Sequence, residues 1–246
     1  MLQTMKGIFR LSVFASLSVA LLMAGCEKDN DTNDGGAVDG GTTGGGATVV
    51  EWVDLGLPSG LLWASCNMGA SKPAEYGGYY AWGETGLKAV YDETTYKYCA
   101  NGDINQLTKY CSYSDYGYAG YVDTLTLLEP SDDIATVVLG ADAYIPTLED
   151  WQELLDNTTA TWTSLDGVEG RRFVGSNGNS IFLPAAGYQI GSHIEIAGWT
   201  GCYWSSSLSV KYPGGACDFD FGFDFQDTGY GIRFNGQSVR AVCSAQ

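Results

Sequence analysis

Residues 217–225 read C-D-F-D-F-G-F-D-F, so Phe219, Phe221, Phe223 and Phe225 occupy every second position. Strand side chains project alternately to two faces, and this period of two predicts a half-buried β-strand with four rings toward a core. Asp218, Asp220 and Asp224 fall on the opposite face, where water or a ligand is expected. Ser238–Val242 is expected as the closing strand. A different period governs residues 147–157. Leu148, Trp151, Leu154 and Leu155 share one face at helical spacing, with Glu149, Asp150 and Glu153 turned outward. Thr147 is the expected N-cap, and Asp150 three residues on makes a shortened capping box. The acids of that first turn also suit the positive end of the helix dipole.

Shorter elements surround these two. Val49–Leu55 and Leu61–Cys66 read as strands about the turn residues Pro58, Ser59 and Gly60. Tyr79 to Trp82 are expected to pack inward from a loop-rich stretch. Residues 87–121 read as irregular surface with at most one short strand near Tyr110. In E-P-S-D-D-I-A-T-V-V-L-G, Ser131 is expected to cap a short helix that Gly140 ends. Asn177-Gly178 lies between Arg172–Val174 and Ser180–Leu183 and accepts the positive φ angles of a two-residue hairpin turn. A few short helices among many strands and loops place the chain in the α+β class.

The length, 246 residues, suits one domain of about 200 residues after processing. Apolar residues at 45% and aromatic residues at 13% are enough to bury a sizeable core. Twelve basic residues stand against 29 acids, a net charge of −17. Nucleic-acid binding needs a concentrated basic face, so that class of partner is excluded. The charge fits an extracellular protein kept soluble by self-repulsion.

Lys6 and Arg10 precede an apolar run, Leu11 to Met23, too short to span a bilayer but suited to a signal-peptide core. The run ends in L-L-M-A-G-C, which resembles a bacterial lipoprotein cleavage box. On this reading residues 1–25 are a signal peptide and Cys26 is the lipidated first residue. Residues 26–48 are then a disordered Gly/Asp-rich tether, and 49–246 form the domain. The acidic E-K-D-N-D after Cys26 resembles the export signal of lipoproteins in Bacteroides-like bacteria. The expected location is therefore the outer membrane, at the cell surface, with lipid as the sole membrane contact. An ordinary signal peptide and a plain solvated spacer are the alternatives. Six further cysteines, Cys66, Cys99, Cys111, Cys202, Cys217 and Cys243, can form disulfides in an oxidising compartment or remain as buried thiols. Fifteen pairings are open, and no C-x-x-C spacing supports a zinc knuckle or redox motif.

The segments V-D-L-G-L-P-S-G-L-L-W-A-S-C-N-M-G-A, Y-Y-A-W-G-E-T, L-E-P-S-D-D-I-A, I-P-T-L-E-D-W-Q-E-L-L, N-S-I-F-L-P-A-A-G-Y, Y-W-S-S-S and Q-S-V-R-A-V occur in this order over about residues 49–243. Together they resemble the Fibrobacter succinogenes major paralogous domain of Bacteroides-like lipoproteins. That family is similar to the sulfatase-modifying-factor branch of C-type-lectin-like folds through P-T-x-x-x-W, Y-W-S-S-S and the terminal V-R strand. The resemblance implies a single lectin-like domain with short strands, few helices and long loops. The chain departs from the pattern at Ala143-Tyr144-Ile145, where the family has an aromatic-Arg pair before Pro-Thr.

Candidate chemistry centres on Trp199–Cys243. Tyr203, Tyr212, Asp218, Asp220, Asp224, Asp227, Tyr230 and Arg233 are the expected ligand-binding residues, because tyrosine makes rigid contacts and aromatic rings stack on sugars or fill protein pockets. In related lipoproteins this span can be diversified, and its flanks here resemble that arrangement. Catalysis is not expected. His193 is the one histidine, Ser205–Ser207 are expected to hydrogen-bond in a turn, and no pair among the acids is singled out for glycoside hydrolysis. Nor does Cys202 or Cys217 fit a sulfatase-modifying site, so that activity and its copper are not carried over, and no cofactor is expected. Glu129, Asp132 and Asp133 could hold a hard cation, but helix capping explains them. Asp218, Asp220 and Asp224 are a second such group, for which a solvated strand face is the simpler account. The expected function is a surface-anchored lipoprotein that binds a glycan or a host or bacterial surface protein. The alternative is a structural or accessory subunit of an envelope or fimbrial assembly.

Overall fold

Strands and helices in chain order are β1 (Trp52–Asp54), β2 (Leu62–Ala64), α1 (Ile134–Leu139), β3 (Ala143–Tyr144), α2 (Leu148–Asn157), β4 (Thr159–Leu165), β5 (Val168–Val174), β6 (Ser180–Pro184), β7 (Tyr188–Ile190), β8 (His193–Glu195), β9 (Gly201–Leu208), β10 (Gly215–Phe221), β11 (Gln226–Ile232) and β12 (Val242–Cys243). They come from a computed structural model in which residues 50–244 are described. The expected signal peptide, Cys26 and the tether lie outside the described residues. Four antiparallel sheets result, in the orders β1-β2-β12-β3, β11-β10-β9, β4-β5-β6 and β7-β8. With few helices beside them, the described residues form an α+β domain.

The helix α2 forms as its sequence dictates. The Thr147 side chain accepts from Asp150 N, Asp150 accepts from Thr147 N, and Trp151 and Leu154 are buried on the inner face. In α1 the cap is Asp133 and not Ser131. The Asp133 carboxylate accepts from Ala135 N and Thr136 N, while Ser131 sits in a 3-10 turn over Pro130–Asp132. Pro130 starts that separate turn, which displaces the helix start by two residues. Gly140 ends α1 as expected.

The hairpins follow turn chemistry, with one exchange of roles. Asp166 and Gly167 both take positive φ, at 52° and 80°, and join β4 to β5 in a two-residue turn between Leu165 and Val168. Asp-Gly is as strong a signal for this turn as Asn-Gly. At Asn177-Gly178 only Gly178 has positive φ, and Gly175 N donates to Asn179 O, so three residues make the turn. Near Tyr110 there is no strand. Tyr110 is buried in left-handed backbone, and short 3-10 turns occupy 100–102, 114–116 and 118–120.

Two aromatic clusters form the core. Trp63, Trp151, Phe173, Tyr203, Phe219 and Phe221 make one, with Trp151 stacked on Phe219 at 4.7 Å. Tyr79 to Trp82, Tyr96, Tyr98, Tyr110 and Trp204 belong to the other. Burial of each large apolar side chain stabilises by about 1.5–3 kcal/mol. The alternation of 217–225 holds only as far as Phe221. Phe219 and Phe221 are fully buried, but Phe223 is 76% exposed and Phe225 46%. Residues 222–225 leave the strand as a four-residue turn, because the buried Arg171 guanidinium donates to the carbonyls of Gly222 and Phe223 and to Gln226. The closing strand is only Val242–Cys243, shorter and later than the expected 238–242, and it pairs with β2, Val242 opposite Trp63.

Arg240 is fully buried, and all five of its N–H groups are engaged. They reach Asn67 Oδ1 from Nε (3.0 Å) and from one terminal nitrogen (2.8 Å), and the carbonyls of Ala64, Ser65 and Phe182. Just before Pro146-Thr147, Ile145 N donates to the Asp133 carboxylate at 2.8 Å. Arg240→Lys offers three donors to these four acceptor atoms, leaves at least one without a donor, and is expected to destabilise by about 3 kcal/mol. Urea unfolding followed by tryptophan fluorescence reads this directly, and an unchanged midpoint would remove Arg240 from its structural role.

Candidate functional site

The eight expected ligand-binding residues separate into three groups. Tyr203 and Arg233 are fully buried and cannot meet a ligand. Tyr203 stacks on Phe221, and its hydroxyl donates to Pro184 O and accepts from Asn67. Arg233 lies over the Trp82 ring and donates to carbonyls of Gly215, Lys109, Tyr110 and Pro213, which clamps the 109–110 loop to β10. These corrections share one cause. Alternation marks two faces, but it does not say which face a distant segment will cover.

Asp218 and Asp220 form the second group. Asp218 is 1% exposed, not solvated as expected, and Asp220 is only partly accessible. The 233–238 segment covers this face of β10, with Gln237 Nε2 donating to Asp218 Oδ2 at 3.0 Å. Loss of water pushes both carboxyls upward, and the charge of Asp220 adds to the rise at Asp218. Cys202, directly opposite Asp220 in the strand register, is likewise raised by burial and then by that carboxylate. It is one of six free thiols among the described residues, alongside Cys66, Cys99, Cys111, Cys217 and Cys243.

The third group faces solvent. Tyr212 is 41% exposed and Tyr230 59%, and their rings lie 5.5 Å apart at 34°. Asp224 sits in the exposed 222–225 turn and Asp227 near the start of β11, directly opposite Asp220. Tyr230 borders a cleft of about 640 Å³ whose wall includes Leu127, Glu149, Lys211, Cys217 and Thr228. Four separate stretches of chain build it: the 126–127 loop, the first turn of α2, the end of β9 with its following loop, and the β10–β11 hairpin. Ser207 Oγ accepts from Leu148 N, which fixes α2 against the cleft floor. Lys211 and Leu127 carried no sequence signal, and Glu149 signalled only an outward helix face, since none of the three shows its neighbours until the fold gathers them. The cleft offers an aromatic platform, both signs of charge and several hydroxyls.

Comparison of the chain with protein-family models, with curated proteins and with solved structures finds no match in any of the three.

His193 is exposed on β8, whereas Ser205–Ser207 are buried within β9 and not in the expected turn. Two of the three hydroxyls are already engaged: Ser205 Oγ accepts from Ser207 N and Ser207 Oγ from Leu148 N. The Glu129, Asp132 and Asp133 group is filled from within the chain. Lys109 bridges Glu129 and Asp132, Lys97 reaches Asp132 at 3.0 Å, Tyr110 donates to Asp132 at 2.7 Å, and Asp133 caps α1. Burial alone would raise the Asp132 carboxyl, but the hydrogen bonds from Lys109, Tyr110 and Lys97 outweigh it and hold it well below the usual range. A depressed folded pKa contributes stability above the unfolded value of about 3.9, lost as pH falls through and below it. Asp132→Asn is expected to destabilise by about 3 kcal/mol at pH 7, with the difference from the parent narrowing progressively as pH falls from about 5 to about 2. Urea midpoints across that range test it, and a constant difference would assign the effect to packing.

Proposed function

We propose that this protein is a surface-anchored, lectin-like lipoprotein that binds a glycan or a surface protein through the cleft beside Tyr212 and Tyr230. The observation that carries the reading is this exposed tyrosine pair beside a cleft with polar and apolar walls. A ring pair held at the edge of a sheet is already ordered, so a ligand that stacks on it meets little entropic cost. The lectin-like assignment is supported by the way its three signatures meet. Trp151 of P-T-L-E-D-W donates to the Trp204 carbonyl, Ser206 N of Y-W-S-S-S to Pro146 O, and Trp204 N to Ser238 O beside V-R. The long segment from 70 to 133, held mostly by turns and isolated bridges, supports a loop-built surface. Anchoring at the outer membrane rests on the leader sequence and Cys26.

A second reading, an accessory subunit of an envelope assembly, is favoured by one other observation. Trp199 is 78% exposed and Phe223 76%, flanking the paired residues Gly201 and Phe221, with Trp162 against the Phe223 ring. Such rings suit a partner protein.

Glycan and surface-protein arrays probed with the purified protein separate the two. Tyr212→Ala and Tyr230→Ala are each expected to weaken array binding about tenfold with thermal stability unchanged, because the rings are exposed. Binding that survives the double variant would exclude the cleft. A blank on both arrays, with stoichiometric recovery of neighbouring envelope proteins, would leave the subunit reading.

A further inference from the structure

β11 is the outer strand of the β11-β10-β9 sheet, and the phase of its hydrogen bonds to β10 is fixed at both ends. Beyond one end Arg233 N donates to Gly214 O at 3.1 Å, and beyond the other Gly222 N donates to Phe225 O at 2.9 Å. Antiparallel pairs alternate between hydrogen-bonded and open, so Gln226, Thr228, Tyr230 and Ile232 turn their N–H and C=O groups away from β10. Two of those groups are used locally: Thr228 N donates to Asp227 Oδ1, and Ile232 O accepts from Asn235 N. Among the described residues, the Thr228 carbonyl and both backbone groups of Tyr230 have no protein partner.

Such an edge is ordinarily blunted by a lysine, a proline, a bulge or a covering segment. β11 reads Q-D-T-G-Y-G-I, has neither lysine nor proline, and keeps an unbroken register with β10. Asp227, Gly229 and Tyr230 are exposed. The two faces beside the edge differ. Thr228 and Tyr230 stand with Phe219 and Cys217 on the α2 side, where Thr228, Tyr230 and Cys217 line the cleft. Asp227 stands with Asp220 on the other side, where Gly229 and Gly231 add no side chain. The ion pairs among the described residues join Lys88, Lys97 and Lys109 to Glu84, Glu129 and Asp132, so none of them matches Asp227 or Asp220. The edge is aromatic on one side and anionic on the other.

We propose that β11 receives an extended basic segment of a partner protein as a fourth strand, with apolar side chains over Tyr230 and cations over Asp227. Strand addition draws affinity from main-chain hydrogen bonds and selectivity from alternate side chains. A residue opposite Tyr230 can exchange two backbone hydrogen bonds with it, and the Thr228 carbonyl can accept a third. Charge selects the occupant. A second copy brings another net charge of −17, and like charges repel. The chain's own 27–39 stretch brings Glu27, Asp29, Asp31, Asp34 and Asp39 against Lys28 alone. A foreign basic segment is the complementary one. This inference rests on the cleft reading and deepens it, since it assigns that edge to a protein in place of a glycan.

The full chain is titrated with a peptide of alternating lysine and valine as long as β11. A glutamate–valine counterpart and a lysine–valine peptide N-methylated at its valines, the residues that would face Tyr230, serve as comparisons. The plain basic peptide is expected to bind about tenfold tighter than either, and to slow amide exchange at Tyr230. Thr228→Pro puts its ring on the free edge without removing a bond to β10. It is expected to weaken peptide binding about tenfold with Tm nearly unchanged. The methylated peptide probes the unaltered protein, so it decides the matter even where Thr228→Pro does not fold. Equal binding of methylated and plain peptides overturns strand addition, and equal binding of acidic and basic ones overturns the basic partner. Absence of peptide binding overturns the inference, and the cleft reading is then judged separately by the arrays with Tyr212→Ala and Tyr230→Ala. A dimer of the chain that Thr228→Pro splits also overturns it, with a second copy as the occupant.

Discussion

The fold depends on one buried guanidinium. Arg240 arrives near the end of the chain and meets carbonyls from β2 and the loop after it and from β6, together with the Asn67 side chain. Five donors in a fixed planar fork satisfy four acceptor atoms, most of them buried, and no other side chain could do so. Asn67 extends the junction, since its amide also donates to Tyr203. Segments more than a hundred residues apart in sequence are thereby held in one register. Arg233 repeats the device on a smaller scale between the 109–110 loop and β10. Both arginines use neutral carbonyls and not carboxylates, so their charge is spread over many oxygens in place of one ion pair.

Fixing the end of the chain in this way covers the second face of β9 and β10. One face carries Phe219 and Phe221 against Trp151, and the other carries Trp204 and Asp218 beneath Gln237. A strand buried on both faces must satisfy every polar side chain internally. Ser205 and Ser207 manage this with backbone amides, but Asp218 and Asp220 do not. The unmatched oxygens are consequently a result of the same packing that gives the sheet its rigidity. At the free edge, β11 escapes the cover and presents Tyr230 beside Tyr212. A rigid sheet with one solvent-facing edge is a sound platform for binding, since its contact residues are ordered before a ligand arrives.

Local chemistry made much of the fold legible. The α2 helix, its capping box and its buried Trp151 follow from residues within one turn of each other, as does the Pro58–Gly60 hairpin. Where two local signals competed, the outcome was less direct. Ser131 and Asp133 are both good caps, and Pro130 decided for Asp133 by starting a separate turn. Asn177-Gly178 and Asp166-Gly167 are equivalent dipeptides, yet only the latter makes the two-residue turn.

By itself, then, the sequence determined the periods, caps and turns, because those depend on neighbours within a few residues. It also determined that Phe219 and Phe221 share a face and that Asp218 and Asp220 share the other. Tertiary structure alone decided which face meets water. Arg171 ended β10 before Phe223, the 233–238 segment buried Asp218, and Arg233 turned inward while Tyr230 did not. Each outcome rests on contacts between residues about 20 to more than 100 positions apart, and a two-residue period carries no information about what lies across from it.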